Sequence, residues 1–138
     1  MTAMTTAGCT PSRELGLVAV LLAAASVALE GALCFVSATG YGSSTIGANQ
    51  TVLGVWDTSA DNSAGAAGAT YAMVRRNRQF LMFNDTATPV VQADLGKDLY
   101  AVDNQTVSSD SNSSARPKVG RFMGFDKEQP TMIWVEIA

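Results

Sequence analysis

Residues 15–36 read LGLVAVLLAAASVALEGALCFV, and the reading of this run decides both the fold and the destination of the chain. Its uncharged part extends from Leu15 to Leu29, where Glu30 and Gly31 interrupt it. That is shorter than the roughly 18–20 apolar residues a helix needs to cross a bilayer, so no membrane partner is expected. The length does suit the core of a secretion signal. Such a signal carries a positive leading region, whereas MTAMTTAGCTPSRE at 1–14 sets Arg13 beside Glu14. Residues 26–28, SVA, have the small side chains of a cleavage site. A secreted or surface-anchored small β-domain, an adhesin or envelope component, is therefore the second reading of the chain.

Local pattern leaves the conformation of the run open. Ala23, Ala24 and Ala25 favour helix, and Leu17, Leu21, Ala24 and Ala28 would share one helical face. The flanks LVAVLL and GALCFV are rich in β-branched and aromatic residues, which favour strands joined through Ala24–Ser26.

Beyond Val36 the text alternates short apolar runs with turn residues. TVLGVWD at 51–57 reads as a strand. YAMVRRNRQFLMFND at 71–85 reads as two strands around a polar centre, with Tyr71/Met73 and Phe80/Met82 marking the alternation. A turn at Leu95–Lys97 leads into a strand DLYAV. Ser108–Ala115 has no apolar side chain longer than Ala and is expected to be a mobile surface loop with no part in holding the fold. Val119–Phe125 and Met132–Ile137 flank a polar turn with Pro130 and are expected to pair as a hairpin, with Trp134 burying one face in the core. Short strands at this spacing predict an all-β fold: a small sandwich or barrel-like domain over residues 15–138, preceded by an extended arm at 1–14.

Composition narrows the function. Of 138 residues 47% are apolar and only 15% charged, where about a quarter charged is usual for a soluble domain. Such a chain is expected to bury part of its outside against partners. The basic residues Arg75, Arg76 and Arg78 make no stripe, and the net charge is −3, so nucleic acid is not an expected partner. The chain has no histidine, which removes the commonest general base and metal ligand. Asp94, Asp98 and Asp103 read as solvated turn residues. The segment DNQTVSSDSN lacks the ligand order and closing Glu of a calcium loop. No catalytic, cofactor or metal site is expected. Cys9 and Cys34 read as two free thiols, Cys34 as a buried apolar residue. Asn49, Asn84, Asn104 and Asn112 open N-x-[ST] triplets of the sort that arise by chance in a Ser/Thr-rich chain.

Read in order, LEGALCFVSATGY, VLGVWDTSADNSAGAAGA, VRRNRQFLMFND, ADLGKDLYAVDNQTVS, RPKVGRFMGFD and IWVEI together resemble the cement, or head-decoration, proteins of tailed bacteriophages. The likeness covers about Val18–Ile137; VLLAAASVALEG is more apolar than that pattern and KEQPTM departs from it. The resemblance implies an all-β domain made in the bacterial cytoplasm and placed on the outer surface of the virion capsid. It implies a homotrimer at local three-fold positions, clamping the major capsid protein. It also assigns the opening run to the sheet, with Gly31–Leu33 as a strand. On this view the arm residues Thr10, Pro11, Ser12, Arg13 and Glu14 lie along neighbouring capsid subunits, Pro11 holding them extended.

Overall fold

The opening apolar run is cut into strands at its alanines and its glycine. In the computed structural model, which describes residues 2–138, it forms β1 (Leu17–Leu21), β2 (Ser26–Ala28) and β3 (Leu33–Val36). Met1, the first residue of the expected arm, lies outside the described residues. Ala25 turns the chain at φ 54° and Gly31 at φ 88°, a left-handed region in which a Cβ is costly and glycine is free. Gly31 and Ala32 therefore belong to the turn, and the strand expected over Gly31–Leu33 starts at Leu33. Asn62 secures the β1–β2 connection, its Nδ2 donating to the carbonyls of Ala23 (2.9 Å) and Ala66 (3.0 Å).

The remaining strands are β4 (Gly42–Ser43), β5 (Thr51–Trp56), β6 (Ala60–Asn62), β7 (Tyr71–Arg75), β8 (Arg78–Asn84), β9 (Asp98–Ala101), β10 (Thr106–Ser108), β11 (Lys118–Phe125) and β12 (Met132–Ile137). The chain is all-β. A five-stranded sheet of order β1-β7-β5-β3-β4 lies beside a closed barrel of order β10-β8-β12-β11-β9, and β2 and β6 make a two-stranded ribbon. The barrel is antiparallel except where β10 runs parallel to β8. The expected hairpin is present as β11 and β12, with Arg121 opposite Glu136 and Phe122 opposite Val135.

Two cores share the sheet. Leu33, Phe35, Val52 and Val55 face the barrel interior, where Met82, Leu99, Val107, Phe122, Ile133 and Val135 are buried. Cys34 and Trp56 face the other way and pack with Val20, Leu22, Ala72 and Val74. A strand covered on both faces has no polar alternation to show, which is why LCFV is unbroken.

Three side-chain placements differ from expectation. In β7 the inward pair is Ala72 and Val74, not Tyr71 and Met73; Tyr71 is exposed. In β12 the inward set is Ile133, Val135 and Ile137, so Trp134 is half-buried on the barrel's outside and Trp56 is the core tryptophan. Ser108, placed at the head of a loop without structural role, ends β10 fully buried, its hydroxyl donating to the Thr88 carbonyl at 2.8 Å. The loop proper is Ser109–Pro117. The Phe80/Met82 alternation holds, with Met82 buried and Phe80 packed on the barrel core.

Candidate functional site

The arm enters the sheet at Gly16, whose carbonyl accepts the Arg76 N–H at 3.0 Å. Everything described before it, Thr2–Leu15, is exposed and outside regular structure. Thr10, Pro11 and Ser12 therefore stand in solvent. Arg13 and Glu14 line a shallow cleft of about 280 Å³ with Leu15, Val18, Arg76, Asn77 and Ala138. The five arm residues singled out in the sequence thus make one continuous exposed segment, and only its last two touch a feature of the domain surface. Arg76 is engaged there by a hydrogen bond to the Ala138 carbonyl. Arg75 instead pairs with Asp57 at 2.9 Å, and the guanidinium's hydrogen bond holds the Asp57 carboxyl below its ordinary range.

Asp94 and Asp103 serve turns as expected, whereas Asp98 opens strand β9. Asp94 Oδ2 accepts the Val91 N–H at 2.9 Å, and Asp103 Oδ1 accepts the Gln105 N–H at 2.8 Å. Asp98 faces Lys118 at 3.2 Å across β9 and β11. Asp94 and Asp98 do share one open depression of about 450 Å³, with Lys97, Tyr100, Ser109 and Arg121 around it; Asp103 lies elsewhere. Among the described residues no three His, Cys, Asp or Glu side chains converge as metal ligands, and no helix is long and apolar enough to cross a membrane. Cys9 is exposed and Cys34 buried, both as free thiols, and burial pushes the Cys34 thiol up to about 12.

One feature of the surface was not read from the sequence. Beside β1 the sheet leaves an apolar groove of about 500 Å³, lined by Val18–Leu21, Val36, Gly40, Thr51 and Leu53. The signal for it was weak, because LGLVAVLL is apolar on both faces and gives no clue to which side meets solvent. No protein-family model, curated protein or solved structure matches the chain.

Proposed function

We propose that this chain is a structural cement protein that binds the outer surface of a phage head and reinforces contacts between major capsid subunits. The observation that carries the proposal is the arm, Thr2–Leu15, exposed along its whole length beside a closed all-β domain. A segment without partners of its own gains order only on another surface. The ordered resemblance of Val18–Ile137 to cement proteins and the low charge content support the same reading. Thr10–Glu14 would lie along neighbouring shell subunits, and a trimer would match a local three-fold position with identical contacts. Many modest contacts then act together through multivalency.

The secreted alternative, with cleavage near Ala28, would strip away β1 and the core residues Val20 and Leu22. That cost favours the cement reading. The test is to mix the purified chain with heads that lack a decoration protein and sediment them. Co-sedimentation and greater heat resistance of the heads are expected, both reduced on deletion of residues 1–14. A chain that never sediments with heads would overturn the proposal.

A further inference from the structure

The free edge of β1 has a definite hydrogen-bonding phase. Gly16 and Leu22 bond to Arg76 and Thr70 on the β7 side, and the β1–β7 register is unbroken between them. In an antiparallel pair such residues alternate with ones whose groups point away. Leu17 and Ala19 therefore turn both N–H and C=O away from β7, and Leu21 turns its N–H the same way. Further along, Ala23 already donates across the gap to the Gly42 carbonyl at 2.9 Å, and Leu22 bridges Gly42 in parallel. One end of the seam between β1 and β4 is thus closed, while the rest stays open onto the apolar groove. An apolar strand edge left unpaired is a template for another strand.

We propose that the N-terminal arm of a second copy of this chain fills the seam by adding a strand along β1. The match is one of charge and form. Residues 2–12 carry no charge, and neither does any residue lining the groove. Thr2–Cys9 is exposed and free of secondary structure, and at ~3.3 Å per residue it outspans the five residues of β1. Where the chain's own arm joins β1, Arg13–Leu15 share a cleft with Val18, Arg76, Asn77 and Ala138 on the β7 side. Each copy then gives one arm and receives one, a head-to-tail contact that closes into a ring when the rotation permits. Thr10–Glu14 remain outside the seam, and the contact needs no phage head.

The test uses the isolated full-length chain. Cys9 is an exposed thiol in the arm and Cys34 is buried. Thr51, exposed on the groove wall, is replaced by Cys, and a short bismaleimide is added. Bands at multiples of 14.4 kDa are expected for Thr51→Cys, and none for Thr86→Cys, which places the thiol on an exposed barrel loop. Thr5→Pro and Thr6→Pro, made separately, distinguish strand addition from loose contact. Proline has no N–H to donate, and neighbouring residues alternate sides, so one of the two must lose the bands while the fold is unchanged. Sedimentation should show the same loss of oligomer. A monomeric chain, linkage only within one copy, or equal bands from Thr86→Cys would each overturn the proposal. Linkage of Thr51→Cys to a shell subunit in place of a second copy, when heads are present, would overturn it too. Only that last result bears on whether the chain binds heads; the others are read on the isolated chain.

Discussion

Asn84 and Val90 clasp each other at the ends of one loop. The Asn84 Nδ2 donates to the Val90 carbonyl at 3.0 Å, and the Val90 N–H donates to Asn84 Oδ1 at 2.8 Å. The side chain imitates a strand and sets Val90, almost fully buried, into the barrel core. Asn84→Ala strands both backbone groups and should cost about 2–3 kcal/mol. Asn84→Asp keeps the acceptor but sets a carboxylate against the Val90 carbonyl, and should also lower the urea midpoint. An unchanged midpoint in both variants would contradict the clasp.

The two tryptophans should behave oppositely. Trp56 is 1% exposed, and its truncation to Ala should cost about 3–5 kcal/mol. Trp134 lies half-buried on the outer face of β12, so Trp134→Ala should cost only on the order of 1 kcal/mol, in proportion to the area it loses. Acrylamide quenching of the single-tryptophan variants checks the placement independently: Trp134 should be quenched more strongly than Trp56.

The serine-rich segment divides into a part that holds the fold and a part that is strained. Ser108→Ala removes the buried hydroxyl that bonds Thr88 and should cost about 1 kcal/mol. Asn112, Ser113 and Ser114 all sit at positive φ, 50°, 55° and 66°. Each L-residue held left-handed costs roughly 1–2 kcal/mol, partly recovered by the Asp110 Oδ1 bond to the Asn112 N–H. Ser113→Gly should therefore raise the melting temperature, because it relieves strain without removing a hydrogen bond; a fall would show that the hydroxyl is needed.

Acid should destabilise the protein from below about pH 4. Asp57, Asp61 and Asp85 are all held below the ordinary carboxylate value of 3.8, chiefly by hydrogen bonds from Arg75, Ser63 and Thr88 respectively. A carboxyl depressed in the folded state contributes stability that is present above its unfolded pKa. That contribution is lost as pH falls through the folded value. Urea midpoints should therefore be level near neutrality and fall in acid, and Asp57→Asn should flatten part of the acid limb. These groups are exposed enough that the change will be modest.

The strands that could be read in the sequence were those bounded by chemistry that stops them. The polar turn with Pro130 separates β11 from β12, and Leu95–Lys97 precedes β9. Sidedness was harder to read. Tyr71, Ala72, Met73 and Val74 are all apolar, so residue type does not decide which pair faces inward, and it is the larger pair that faces out. Trp134 misled for the same reason: a large ring covers outer surface as readily as it fills a core. Ser108 is polar by type, and only its partner Thr88, distant in sequence, makes burial tolerable. As for the candidate site, the arm was visible in MTAMTTAGCTPSRE, whose only charges are Arg13 and Glu14 at its end. The open seam was not, since a free strand edge is a property of how β1 and β4 meet.

The placement of β3 between the two cores bears on how the molecule comes apart. Leu33 and Phe35 belong to one cluster and Cys34 to the other, so neither cluster can melt without pulling on a strand the other holds. Sheet and barrel should therefore unfold in a single transition. Cys34 supplies an internal reporter: Cys9 should be alkylated at once, whereas Cys34 should react only at the rate of global opening, with no faster phase from either half.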